Sequence, residues 1–109
     1  IGGPCMVRAS AKNNAGVCIA TSPAQYAGLM QQMNENDGCT TYDFRKNMAA
    51  AAYALTASYD SAVSGWLAGE VTSPPSTHSI AFQVERPLKY GCNPHQLPAA
   101  LCSVGGGKM

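Results

Sequence analysis

Charge of either sign is scarce in this sequence. Charged residues fill 12% of the 109 positions and the formal net charge is +1, so there is no basic field to draw a nucleic acid or an anionic membrane surface. Apolar runs are short as well. None approaches the roughly 20 residues that a membrane-spanning helix requires, and no charged and apolar leader of the signal-peptide kind opens the chain. Cysteine pairing is the third thing missing. Five cysteines, Cys5, Cys18, Cys39, Cys92 and Cys102, form an odd set without a C-x-x-C pair, which is a poor disulfide framework and points to a reducing, cytoplasmic setting. A metal set is lacking too: Cys92, His95 and Cys102 come nearest, but Pro94 stiffens their loop and no fourth ligand is evident. Cys5 and Cys18 stand among apolar residues and read as small buried hydrophobes. Lacking an initial Met, the chain reads as an internal piece of a longer polypeptide.

What is present begins at the front. Gly2 and Gly3 allow close backbone approach to a ligand, and Pro4 suits a first helical position, so a helix is expected from near Pro4 to Asn13 or Asn14. Met6, Val7, Ala9 and Ala11 are its inward candidates. Arg8 and Lys12 fall four apart on one face, where like charges repel by roughly 0.2–0.5 kcal/mol unless an anion joins them. An ammonium group beside a second cation gives up its proton more readily than an isolated one, which makes Lys12 the candidate for proton exchange. An ordinary solvated basic face is the competing reading.

Further along, Val17 to Thr21 is a short apolar run rich in β-branched residues and is expected to form a buried parallel strand. Ser22 and Pro23 give an N-cap and a first helical residue, opening a helix through Met33 that ends between Asn34 and Gly38. A longer helix is expected from Tyr42 to Leu67, with Phe44, Met48, Ala51, Leu55, Tyr59, Ala62, Val63 and Trp66 as its core-facing stripe. The alanines from Ala49 to Ala52 permit close approach of a neighbour. Asp60, with Thr56 one turn earlier, lies off that stripe and serves either a hydrogen-bond network or solvent. Helix, strand and helix in this order favour a layered α/β fold.

Gly69 to Ser79 has linker composition with paired prolines. Beyond it, Ile80, Phe82 and Val84 alternate with Ala81, Gln83 and Glu85, the pattern of a strand. Then Lys89-Tyr90-Gly91-Cys92-Asn93-Pro94-His95-Gln96 concentrates a cation, a phenol, an amide and an imidazole in one irregular loop. Lys89 could neutralise a phosphate there and Tyr90 could stack or donate a hydrogen bond. His95 is open to a structural or a chemical reading. Gly105-Gly106-Gly107-Lys108 lacks the spacing of a phosphate loop and reads as a flexible tail.

The motifs I-G-G-P-x-M-V-R-A-x-A-K-N and K-Y-G-x-N-P-H-Q, with residues 53–63 between them, resemble the bifunctional purine-biosynthesis family that combines AICAR transformylase with IMP cyclohydrolase. The resemblance implies an α/β protein in which residues 1–69 are the C-terminal part of a methylglyoxal-synthase-like cyclohydrolase domain. Residues 70–79 would be a linker, and 80–109 the beginning of a cytidine-deaminase-like transformylase domain. It assigns Lys12 to proton transfer as formyl-AICAR closes to IMP, sets Ile1 and Gly2 beside the nucleotide, and gives Lys89 and Tyr90 to AICAR binding. Arg8, Asn93 and His95 are further site candidates. Ring closure would need no cofactor, whereas formyl transfer would use 10-formyltetrahydrofolate and a Lys-His pair further downstream. A cytoplasmic homodimer is implied, with no metal, nucleic acid or membrane.

Three positions depart from the family pattern. Lys89 stands where arginine is usual, Asn14 where histidine is common, and Leu55 in place of a histidine. An ammonium cannot reproduce the two parallel hydrogen bonds of a guanidinium, so Lys89 implies weaker or altered AICAR binding. These departures also leave room for a different class of function, a truncated or derived copy acting as a structural or interaction module in a larger assembly.

Overall fold

A computed structural model describes residues 2–89, 91, 93, 95 and 98–104. Helix α1 covers Gly2–Lys12, a 3-10 turn covers Pro23–Gln25, and helices α2 and α3 cover Tyr26–Glu35 and Tyr42–Glu70. Strands β1 (Phe82–Leu88) and β2 (Ala99–Val104) follow. The chain forms two compact units, Ile1–Ala57 and Ser58–Met109. Mixed helix and sheet is the composition expected of the α/β class.

In the first unit, local signals place the helix ends. Asn14 Nδ2 donates to the Ala11 carbonyl at 2.8 Å and closes the last turn of α1. Ser22 accepts from the Ala24 N–H at 3.3 Å while Gln25 Oε1 accepts from the Ser22 N–H at 3.2 Å, the reciprocal pairing of a capping box. Helix α2 ends in a left-handed turn, with Asp37 at φ 52° and Gly38 at φ 82°. There the Gly38 N–H returns to the Met33 carbonyl at 2.7 Å, the long bond of a Schellman ending. Thr41 caps α3: its hydroxyl accepts from the Phe44 N–H at 3.2 Å and donates to Gln32 Oε1 at 3.1 Å.

The buried cluster is built from small side chains. Ala11, Ala49 and Ala52 form it, with Val7 and Ile19 packed against it, so the alanine run of α3 does admit a neighbour, the end of α1. Met48 and Thr56 are also buried. The expected stripe of α3 is buried at Met48, half-buried at Phe44 and Ala51, and exposed from Leu55 onward. Leu55, Tyr59, Val63 and Trp66 are exposed, Trp66 to 66%, because burial follows 48, 49, 52 and 56 instead. Thr56 enters that row by donating its hydroxyl to the Tyr53 carbonyl at 3.2 Å. In α1, Met6 is exposed while Val7 and Ala11 turn inward.

Val17–Thr21 is not a strand. A strand needs a hydrogen-bonded neighbour, and the described residues supply none for it. Its polar groups are taken locally, the Val17 N–H by the Asn13 carbonyl at 2.9 Å and the Thr21 N–H by Gln25 Oε1 at 2.8 Å. Cys18 is half-buried, whereas Cys5 is exposed, contrary to its reading as a core residue.

In the second unit, residues 71–80 are exposed and without helix or strand. The expected strand begins at Phe82 rather than Ile80 and pairs antiparallel with β2, which alternation did not indicate. Leu88 faces Ala99 and Phe82 faces Val104, with a bulge between Val84 and Arg86. Glu85, at the bulge, accepts from the Ser103 hydroxyl.

Candidate functional site

The sequence-predicted residues fall in two places, one in each unit. At the first, Arg8 and Lys12 share a face of α1, Arg8 half-buried and Lys12 exposed in the last turn. A cation there is favoured by the negative end of the helix dipole. The Arg8 carbonyl accepts from the Tyr53 hydroxyl at 3.4 Å. Gly2 opens the same helix at its far end. At 1.5 Å per residue, Gly2 and Lys12 lie about 15 Å apart along the axis, so a ligand touching both would lie along α1. Ile1 lies outside the described residues.

The backbone just after Lys12 is held by a residue that sequence reasoning missed. Arg45, on α3, donates from Nε to the Asn14 carbonyl at 2.9 Å and from one terminal nitrogen to the Ala15 carbonyl at 3.0 Å. Its other terminal nitrogen donates to the Thr40 carbonyl and, at 3.2 Å, to the Thr40 hydroxyl. A signal existed in the sequence. Arg45 sits near the N-terminus of a helix, where the dipole disfavours cations, and a local rule broken in that way marks a residue recruited by something distant. Lys46 breaks the same rule with a local remedy, an ion pair to Asp43 at 3.0 Å that pushes its ammonium pKa up. Beside the brace, burial pushes the Cys18 thiol up from its ordinary value, with the Arg45 charge pulling the other way.

The second place is the connection from β1 to β2. Because Leu88 pairs with Ala99, Lys89 and Pro98 stand at the same end of the hairpin. Lys89, Asn93 and His95 are all exposed there. Tyr90, Cys92 and Pro94 lie outside the described residues. In the same unit a cleft of about 520 Å³ is lined by Asp60, Val63, Leu67, Val71 and Pro75 among others. None of the predicted site residues lines it, and Asp60 thus borders an apolar cleft. Among the described residues, no group of three or more His, Cys, Asp or Glu is placed to hold a metal ion, and no helix is long and apolar enough to cross a membrane.

The profile of the AICARFT/IMPCHase bienzyme family matches residues 10–107. The chain is 48% identical over 100 residues to the bifunctional purine biosynthesis protein PurH of Rhizobium johnstonii, covering 91% of this chain and 19% of that protein. It is 46% identical over 104 residues to PurH of Jannaschia sp. and 48% identical over 100 residues to PurH of Rhizobium rhizogenes, with the same coverage. It therefore spans about a fifth of the length of these relatives.

Proposed function

This chain belongs to the AICARFT/IMPCHase bienzyme family, and on that footing we propose that it is the junction segment of an enzyme performing the last two steps of IMP synthesis. These are formyl transfer to AICAR and the dehydrative closure of formyl-AICAR to IMP. Residues 1–69 belong to the cyclohydrolase part, 70–79 to a linker, and 80–109 to the transformylase part. The observation that carries this reading is the family match, which covers residues 10–107 and so takes in Lys12 and the whole of the second motif. It favours an enzyme over a structural module, because relatives bearing the bifunctional name align over 91% of the chain.

In ring closure the carboxamide nitrogen of the substrate adds to its own formyl carbon and loses one proton; the formamide nitrogen then loses its N–H proton as the C–O bond breaks, and the former formyl oxygen leaves with both protons as water. Placement lowers most of that barrier, since both reacting groups belong to one molecule. What remains is proton traffic and the charge that develops on oxygen. Lys12 supplies an ammonium that can hydrogen-bond the developing oxyanion and protonate it as it leaves. Arg8, one turn earlier, adds positive potential for an anionic nucleotide. Gly2, with Ile1, lies beside the nucleotide.

Lys89 and Tyr90 bind AICAR in the transformylase part, and Asn93 and His95 border the same loop. The formyl donor is 10-formyltetrahydrofolate, a cosubstrate held by residues other than those named here. Ring closure draws on no cofactor. The working form in this reading is a cytoplasmic homodimer.

The test is Lys12→Ala in the full-length natural polypeptide. Cyclohydrolase turnover should fall about 100-fold or more, the scale of lost acid–base catalysis, while transformylase turnover persists. A full cyclohydrolase rate would remove Lys12 from the mechanism.

A further inference from the structure

We infer that Arg45 is a positioning residue for ring closure, acting through the backbone to hold Lys12 in place; this rests on the role proposed for Lys12. Four of the five guanidinium N–H groups are committed to carbonyl and hydroxyl oxygens of the chain itself. That commitment leaves the fork unable to clamp a phosphate or carboxylate of a substrate. Arg45 is therefore no anion-binding residue.

Its partners explain what it does instead. Two of them, the Asn14 and Ala15 carbonyls, lie in the exit turn of α1, and the other two belong to Thr40, in the turn that leads into α3. Among the described residues no carboxylate pairs with Arg45, so these oxygens compensate its charge. The carbonyls at the exit of α1 carry the negative end of its dipole. A side chain from α3 thereby ties the exit of α1 to the entry of its own helix. Asn14 fastens that turn from the other direction through Ala11.

Lys12 is the last residue of α1, two positions before the first brace. Among the described residues its side chain makes no hydrogen bond or ion pair, so within them the course of its backbone aims the amine. Reactions that depend on near-attack geometry lose rate steeply when a group moves by even about 1 Å. A planar fork with several donors fixes a turn in a way a single ammonium cannot.

Arg45→Lys in the full-length polypeptide tests this, with Lys12→Ala assayed alongside. The expected result is a cyclohydrolase kcat reduced about tenfold, with its KM and the transformylase kcat within twofold of the natural protein. Arg45→Ala should behave alike and recover part of its cyclohydrolase rate when guanidinium ion is added. Should Arg45→Ala not fold, Arg45→Lys decides alone. Unchanged cyclohydrolase turnover in Arg45→Lys, or a parallel loss of both activities, overturns the inference. The Lys12→Ala control separates the two claims: if it is inactive and Arg45→Lys is fully active, only the brace is refuted; if it is fully active, the reading of Lys12 fails first.

Discussion

Ala11 of α1 and Ala52 of α3 are both completely buried, in one cluster. Neither carries more than a methyl group, so the two helices share a buried cluster made of small side chains. That contact, rather than the aromatic and aliphatic residues further along α3, seats the end of α1.

Enlarging the contact should therefore unseat α1. Ala52→Leu is expected to destabilise the fold by about 1–3 kcal/mol through overpacking. Urea unfolding of the full-length polypeptide should show the midpoint lowered. Ala50→Leu, at an exposed position of the same helix, should leave the midpoint nearly unchanged.

Cysteine reactivity should separate by environment. Cys5 and Cys39 are exposed, and Cys18 is half-buried with its thiol pushed up by burial. Thiolate is the reactive form, so iodoacetamide near pH 8 should modify Cys5 and Cys39 before Cys18, as peptide mapping by mass spectrometry would show. The folded Cys18 thiol holds its proton more tightly than the unfolded one. Its contribution to stability is thus complete below the ordinary thiol range and is lost as pH climbs through the raised value. Cys18→Ala should flatten that alkaline decline.

The resemblance implies a guanidinium where this chain carries the ammonium of Lys89. Restoring the fork with Lys89→Arg should lower the transformylase KM for AICAR by roughly fivefold, in keeping with the strength of bidentate charge-assisted pairs. Cyclohydrolase kinetics should not move. An unchanged or raised KM for AICAR would take Lys89 out of that site.

Features encoded over a few residues were legible in the sequence. The end of α1 at Asn13 and Asn14, the Ser22-Pro23 start, the ending of α2 at Gly38 and the span of α3 all depend on caps and turn residues within one or two turns. What depended on distant partners was not legible. Val17–Thr21 has strand composition but no neighbour among the described residues, and β2 carries no clear alternation of its own, taking its form from pairing with β1. The stripe of α3 was misread past Ala51 because large apolar residues were followed there, whereas the buried cluster is made of alanines with Val7 and Ile19 against it. Arg45 escaped notice because its partners, Asn14 and Ala15, are some thirty positions away. At the candidate sites, residue types and motif order were visible early, while the means of holding the α1 exit was not.

If the Lys12 amine faces a purine nucleotide, bound nucleotide shields it from reagents, which amine footprinting on the full-length polypeptide would read. Acetylation by a succinimidyl ester would be read at Lys12 and at exposed Lys46, with and without saturating IMP. Lys12 should lose most of its labelling when IMP is bound while Lys46 keeps its own; equal labelling of Lys12 in both conditions, with IMP binding confirmed by calorimetry, would contradict the account.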